Sequence, residues 1–423
     1  MTGPATGASG ATDDGHLLAL ARNAFGALMP DAAGVAVSGG GDSMALLDLL
    51  ARVQRDLGGS LRAVTVDHGL RPESAEEAGN VARFCARHGI AHDTLVWRPG
   101  EIRGNLSEQA RRARYGLIAD WARRNGLAHV AVGHTADDRA ETFLIELSRE
   151  AGIDGLTSMR PHWHADGIHW SRPLLSVGRE ALRAYLRRQG IGWTDDPTNE
   201  DARYQRVRAR RALGALAPLG ITAGGLARVA GHLAAARGEL VALAVRVADE
   251  IAAEDAGEIA FDRAAWRGLG PETARRLVRG ALRWLNSAEH APRGPEIARL
   301  EMAIAEGRDA TLAGCHLRVT ETQLRFTREP KAVAGMETAT DALWDGRWRL
   351  AGPHEPGLRV RALGAEGLRR CADWRATDHS RAALVVTPAV WRGDALVAAP
   401  AAGLCSGWRV EIVADFRSFL LSH

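Results

Sequence analysis

The chain has 423 residues, too many for one ordinary core, so two or three domains are expected. Its hydrophobic fraction of 46%, charged fraction of 25% and mild formal net charge of +3 are those of a soluble globular protein. No apolar run approaches the length of a membrane span, and Cys85, Cys315, Cys371 and Cys405 form no C-x-x-C, which speaks against a zinc pair or redox dithiol. Reduced thiols and a cytoplasmic location are therefore expected. Lys331 is the sole lysine, so coding bias explains part of the arginine content and only local arginine clusters carry weight.

Residues 1–15 are small and polar and lack an apolar stretch, so they read as a disordered tail rather than a signal peptide. From there to about residue 192 two periodicities alternate. Apolar spacings of three and four predict helices over 17–29, 44–53, 75–88, 107–125 and 136–148. Short apolar and β-branched runs predict strands over 34–37, 61–66, 91–97 and 128–132. This rhythm argues for an α/β fold, a parallel sheet with helices on both faces, and such sheets place ligands at the carboxyl ends of their strands. Beyond residue 219, Leu226, Val229, Leu233, Leu240, Leu243, Val247 and Ile251 recur at spacings of three, four and seven, one apolar face of a long helix. Helices over 272–285 and 295–305 follow, then strands over 316–320 and 323–327, then a tail rich in Gly and Trp. The domains expected are 16–217, a nucleotide-binding catalytic domain; 218–308, helical; and 309–423, small and β-rich or mixed.

Ser38-Gly39-Gly40-Gly41-Asp42-Ser43 follows the first strand and opens a helix. Glycines let the backbone approach a ligand, and the free N–H groups of the loop and first helical turn face an anion. A Walker loop would carry Lys beside its Ser/Thr, and no Lys follows these glycines. The plainer alternative is a glycine turn with Ser and Asp capping a helix. Asp67-His68-Gly69-Leu70-Arg71 follows the second strand, beside the first loop, where the adenosine would sit; a solvated turn is the other reading.

Gly133-His134-Thr135-Ala136-Asp137-Asp138-Arg139-Ala140-Glu141-Thr142 leaves the fourth strand and enters a helix. His134, Asp138 and Glu141 lie three or four apart, as do Asp137 and Glu141, and so cluster on neighbouring faces. Such a set suits Mg²⁺ binding, capture of a substrate ammonium or proton transfer. A capping box between Thr135 and Asp138 accounts for the same residues structurally. Arg111 and Arg112 lie in N-L-S-E-Q-A-R-R-A-R-Y, fitting either a solvated face or phosphate and RNA contact. Asp195-Asp196-Pro197-Thr198-Asn199 leads into Arg203-Tyr204-Gln205-Arg206-Val207-Arg208-Ala209-Arg210-Arg211, where arginines beside an aromatic suit RNA, polyphosphate or a solvated basic helix.

Taken in order, S-G-G-G-D-S, V-D-H-G-L-R, Q-A-R-R-A-R-Y, G-H-T-A-D-D-R-A-E-T, G-L-T-S-M-R-P, R-P-L-L and D-D-P-T-N resemble the tRNA(Ile)-lysidine synthetases of the PP-loop ATP pyrophosphatase superfamily. The resemblance covers about 34–213, and more weakly 310–326, which looks like a β-hairpin of longer members. It implies a PP-loop, Rossmann-like catalytic domain that uses ATP and Mg²⁺, and a cytoplasmic ligase acting on a CAU-anticodon tRNA(Ile) and free L-lysine. In that reaction the C2 oxygen of the wobble cytidine is adenylated, pyrophosphate leaves, and the lysine amine then expels AMP. By motif match, Ser38, Gly39, Gly40, Gly41, Asp42, Ser43, Asp67 and His68 bind ATP, and Asp42, His134, Asp137 and Asp138 are catalytic. Asp42 and Asp138 are the implied metal ligands; Arg111, Arg112, Arg206, Arg208 and Arg210 are the implied phosphate or RNA contacts; the last domain is implied to recognise tRNA. Oligomeric state is left open, a homodimer included.

The chain departs from the family pattern at Arg139, usually Gln, at Arg149-Glu150-Ala151-Gly152, usually R-G-[SA]-G, and at Val207, usually Asn. Two alternatives stand beside this reading. One is another tRNA-modifying enzyme of the superfamily, such as a thiolase, although these typically carry paired cysteines. The other is a non-catalytic RNA-binding protein with a relic nucleotide site, against which Asp42, Asp137 and Asp138 speak.

Overall fold

The structure is a computed structural model that describes residues 13–26, 30–67, 69, 73–98, 106–195, 203, 205–288, 292 and 294–422. The expected ATP contact His68, the stretch Asp196-Pro197-Thr198-Asn199, Tyr204 and residues 1–12 of the expected tail lie outside the described residues. The chain divides into two compact units, Met1–Arg237 and Gly238–His423.

The first unit contains α1 (Asp14–Arg22), β1 (Ala32–Ala36), α2 (Gly41–Leu57), β2 (Ser60–Asp67), α3 (Glu73–Arg87), β3 (Ala91–Val96), α4 (Leu106–Arg124), β4 (His129–Val132), α5 (Ala136–Leu147), α6 (Ile153–Leu156), β5 (His162–Ala165), β6 (Ile168–Ser171), α7 (Arg179–Gln189), α8 (Gln205–Leu216) and the first part of α9 (Ala223–Ile251). Its sheet runs in the order β3-β2-β1-β4-β6-β5. All neighbours are parallel except the edge pair β5–β6. Strand order reverses between β1 and β4, and a crevice opens where their loops diverge. The glycine loop leaves β1 there and the acidic helix leaves β4 there. That placement is why two segments about ninety residues apart meet.

Both sheet faces are covered, as a parallel sheet requires. On one face Leu46, Leu47, Leu49, Leu50 and Val53 of α2 are fully buried with Leu17, Leu182, Tyr185 and Leu186. Each such side chain is worth roughly 1.5–3 kcal/mol of apolar burial. On the other face Ile118 and Trp121 of α4 pack with Val130 and Trp170. A charge inside α2 is fully answered: Asp48 accepts from the Tyr185 hydroxyl at 2.5 Å and pairs with Arg52 at 2.9 Å. The α2 and α7 helices are thereby locked together, and this fixes the start of α7 relative to the glycine loop.

The second unit begins within α9 and continues through β7 (Ala252–Asp255), β8 (Glu258–Asp262), α10 (Arg263–Trp266), α11 (Pro271–Asn286), α12 (Gly294–Glu306), β9 (Ala310–Leu312), β10 (Cys315–Val319) and β11 (Gln323–Arg328). These strands form one antiparallel sheet, β7-β8-β11-β10-β9. Further along, β12 (Glu337–Thr338), β13 (Trp348–Ala351), β14 (Leu358–Ala362), β15 (Pro388–Arg392), β16 (Ala395–Ala398) and β17 (Arg409–Ile412) build a sheet β12-β14-β15-β16 and a pair β13-β17. Trp344, Trp348 and Trp408 fill the core between them, all less than 5% exposed. These three tryptophans are therefore packing residues, each supplying a large apolar area to a small core.

Candidate active site

Strand β1 ends at Ala36, and the chain turns through Gly39, whose φ of +86° is left-handed and suited to glycine. Ser43 ties the turn: its Oγ accepts from the Ser38 N–H at 3.1 Å and donates to the Gly40 carbonyl at 2.9 Å. Thr194 N–H donates to the Gly39 carbonyl at 3.0 Å, bracing the loop from behind. Helix α2 then starts at Gly41 with no side-chain cap, so the N–H groups of its first turn, Gly41, Asp42 and Ser43, end the helix with unanswered positive partial charge.

The acidic helix abuts this turn. A Cβ placed on Gly133 would lie 2.8 Å from Ser43 Cα and 3.0 Å from both Asp42 O and Ser43 N. Only a residue without a side chain lets the end of β4 touch the backbone of the loop. The Gly of G-H-T-A-D-D is thus the contact that joins the two motifs.

Thr135 and Asp138 form a capping box, the structural reading of this segment. Asp138 Oδ2 accepts from the Thr135 N–H at 2.9 Å and from its hydroxyl at 2.8 Å. The cap uses one oxygen only. Asp138 Oδ1 turns to Arg179 at 3.6 Å and Arg206 at 4.0 Å. Burial works against its ionisation, but His134, the Arg179 guanidinium and the hydrogen bond from the Thr135 N–H outweigh it, so the carboxyl lies below the usual range. Capping therefore leaves one carboxylate oxygen of Asp138 for contacts inside the cleft.

Asp137 takes a supporting part: its Oδ2 accepts from the backbone N–H of Arg179 at 2.7 Å, at the first turn of α7. Arg179, which the motif reading passes over, is the hub. Its Nε donates to Asp42 Oδ2 at 3.2 Å, while its other two nitrogens lie 3.6 Å from Asp138 Oδ1 and Glu141 Oε1. Glu141 is fully buried and also accepts from Arg210 Nε at 2.8 Å. Two carboxylate oxygens of this group, Asp42 Oδ1 and Glu141 Oε2, are buried without a hydrogen-bond partner. Burial pushes the Asp42 carboxyl up to about 6, with Asp138 and Asp137 adding to the rise and Arg179 opposing it.

His134 lies on the other side. Its Nδ1 accepts from Arg172 Nε at 2.9 Å, which assigns the ring proton to Nε2. Burial and the neighbouring Arg172 push it well below its ordinary range, so the ring is neutral. Arg172 is itself held over the Trp163 ring at 3.8 Å and donates to the Arg160 carbonyl at 2.6 Å. The β5–β6 hairpin, which the sequence does not announce, exists partly to place this arginine.

The remaining expected residues divide. Asp67 ends β2 and accepts from the Gly69 N–H at 2.8 Å and the Ser74 hydroxyl at 2.5 Å, shaping the neighbouring loop. Arg206 and Arg210 sit one helical turn apart on α8 and face the acidic helix, whereas Arg208 lies on the exposed face. Arg111 and Arg112 are exposed on α4, with Arg111 over the Tyr115 ring at 5.1 Å. Val207, at the position of the family Asn, is buried and packs α8 down.

Residues 17–216 match a family model described as ATP_bind_3, PP-loop domain. The tRNA(Ile)-lysidine synthase of Ruegeria pomeroyi is 47% identical over 405 residues, 95% of this chain and 97% of that relative. The chain belongs to the tRNA(Ile)-lysidine synthase family. The tRNA(Ile)-lysidine synthase of Mesorhizobium japonicum is 39% identical over 371 residues, covering 84% of this chain and 80% of its own length. As a tRNA(Ile)-lysidine synthase family member with a PP-loop domain, the chain is an ATP-using enzyme of α/β fold class. A solved U34-tRNA thiolase, NcsA from Methanococcus maripaludis with its [4Fe-4S] cluster, overlaps 52% of this chain and 78% of its own at a TM-score of 0.45 and 14% identity, too loose to bear on the chemistry. The thiolase alternative asks for a reactive thiol in the PP-loop domain, whose one cysteine, Cys85, is buried and pushed by that burial up to about 11. No single helix among the described residues is long and apolar enough to cross a membrane.

Proposed function

We propose that this enzyme joins free L-lysine to C2 of the wobble cytidine of a CAU-anticodon tRNA(Ile), adenylating the C2 oxygen with ATP first. The observation that carries the reading is the meeting of glycine loop and acidic helix across Gly133. It puts an anion-binding turn and a carboxylate cluster side by side, which a pyrophosphate leaving group and an ammonium nucleophile both require.

In this scheme the turn at 38–43 and the start of α2 hold the phosphates that leave as pyrophosphate, their N–H groups opposing its growing charge. Asp67 flanks the adenosine. Asp42 Oδ1, buried and without a hydrogen-bond partner, fits a Mg²⁺ carried on those phosphates, which when bound neutralises charge on the leaving group. Among the described residues no three His, Cys, Asp or Glu side chains stand together as a metal cage, and Mg²⁺ bound to nucleotides usually takes only one or two carboxylates. Asp138 and Glu141 hold the lysine ammonium, and one of these carboxylates takes the proton the amine must lose before it attacks. Asp137 positions α7 rather than meeting substrate, and neutral His134 offers its Nε2–H as a donor toward the cytidine.

Residues 16–217 are the proposed catalytic domain, with 218–308 and 309–423 helping to select the tRNA. Arg206 and Arg210 serve the catalytic cleft; Arg111, Arg112 and Arg208 are exposed and suited to RNA phosphates. A tRNA substrate suits a cytoplasmic enzyme. Pyrophosphate release tests the order of steps. A CAU-anticodon tRNA(Ile) transcript with MgATP and no lysine should give a single-turnover burst, and lysine should convert it to steady turnover. Pyrophosphate release that is indifferent to tRNA contradicts the proposal.

A further inference from the structure

The acids of the cleft are gathered around a cation that belongs to the protein. Arg179 touches three carboxylates from two elements, Asp42 on α2 and Asp138 and Glu141 on α5. The grip is partial. Only Nε makes a hydrogen bond, at 3.2 Å, and the two 3.6 Å contacts lie beyond hydrogen-bond length. Among the described residues, the far oxygens Asp42 Oδ1 and Glu141 Oε2 remain buried without a donor. One guanidinium thus stands in a site with more acceptors than it satisfies.

The backbone of Arg179 is fixed while its side chain is not fully enclosed. Its N–H is anchored on Asp137 at 2.7 Å and α7 is locked to α2 through Tyr185 and Asp48, yet the side chain keeps 21% of its exposure. The same guanidinium lies against Asp42, whose own N–H belongs to the first turn of α2, the turn that faces an anion. A guanidinium forks onto phosphate with two parallel hydrogen bonds, a better match than two loose carboxylate contacts.

We propose that Arg179 is a positioning residue that gates the lysine site: in the free enzyme it occupies the cation position of the carboxylate cluster, and the polyphosphate of ATP draws it off, so that lysine binds after ATP. This rests on the function proposed above. The device enforces order. Without ATP the carboxylates are neutralised from within and a free amine finds no open site. With ATP bound, the arginine turns to the phosphates and leaves Asp138 and Glu141 to the ammonium. Because Asp42 contacts the same arginine, the step that prepares the nucleotide also opens the second site. Thermodynamic linkage makes the effect mutual, so lysine also tightens ATP.

Equilibrium dialysis of labelled L-lysine against the full-length protein tests this, with and without the non-cleavable analogue α,β-methylene-ATP and Mg²⁺. Wild type is expected to bind lysine about tenfold more tightly with the analogue, within the usual range of coupling between sites. Arg179→Gln is expected to bind lysine equally with and without it, at the tighter value. Arg179→Lys, which keeps the charge without the fork, retains a smaller dependence and serves where the Gln variant does not fold. Lysine bound by wild type with an affinity indifferent to the analogue overturns the gate and leaves the proposed function standing, as does a full dependence kept by Arg179→Gln. Lysine bound under no condition, with CAU-anticodon tRNA(Ile) also present, overturns both.

Discussion

Substituting Gly133 by Ala probes the contact on which the site depends. The added Cβ meets Ser43 Cα at 2.8 Å and two further backbone atoms at 3.0 Å. Carbon atoms pack at about 3.5–4.0 Å, so something must give by roughly 0.7 Å or more. No flexible side chain is there to turn aside. Strand β4 is held by its pairing with β1, where Ala36 faces Val132, so the movement falls on the glycine loop. Overpacking of this kind costs about 1–3 kcal/mol. Displacing catalytic groups by close to 1 Å costs on the order of 10²-fold in rate. Gly133→Ala should therefore unfold at lower denaturant concentration and release pyrophosphate about a hundredfold more slowly, with tRNA affinity unchanged. Gly152→Ala is the control, since its Cβ meets nothing within 4 Å. A Gly133→Ala enzyme with wild-type stability and pyrophosphate release refutes the packing argument.

Three further outcomes follow from the same geometry. Asp42, pushed up to about 6 from 3.8, binds a proton more tightly folded than unfolded, so the stability it contributes is present below about pH 4 and fades as pH rises through 6. Asp42→Asn should resist denaturant at pH 8 at least as well as wild type while losing pyrophosphate release, and in wild type kcat/KM for ATP should fall as pH drops below about 6; a flat profile down to pH 5 argues against a role for the charged form. On α8, Arg210→Ala strips a buried Glu141 of its tightest partner and should cost about 1–3 kcal/mol, whereas Arg208→Ala on the exposed face should stay within about 0.5 kcal/mol, as urea titrations will show. In the second unit Arg328 makes two 2.9 Å hydrogen bonds to Asp345, both side chains being buried, and Arg328→Met should cost about 3–5 kcal/mol by leaving that carboxylate alone; a loss under 1 kcal/mol means the pair is dispensable.

The alternation of apolar periods foretells the parallel sheet because each of β1 to β4 is followed by a helix with one apolar face, and local patterning suffices for that. It does not foretell β5 and β6. Their sequence His162-Trp163-His164-Ala165 and Ile168-His169-Trp170-Ser171 mixes ring types that serve either structure, and only pairing with β4 makes them strands. The same holds for β7 and β8, which extend a helical stretch in sequence and become strands by pairing with β11. Of the site, the glycine loop and Asp42, Asp137 and Asp138 are legible because they stand in local motifs. Arg179 stands in none, and Arg172, although it opens R-P-L-L, shows nothing there of its partner His134. Each acts through residues about forty or more positions away, so only the fold reveals them. Glu141 is readable as a helix neighbour of Asp138, but its burial and its pairing with Arg210 depend on α8 packing against α5.

The most direct test of the account mixes the purified protein with MgATP, labelled free L-lysine and an unmodified CAU-anticodon tRNA(Ile) transcript, and counts label retained in the RNA. The account predicts ATP-dependent incorporation approaching one lysine per tRNA, absent with a CAU-anticodon methionine tRNA. Pyrophosphate released in the presence of the tRNA(Ile) transcript with no lysine retained would contradict it, since the adenylating site would then serve a different nucleophile.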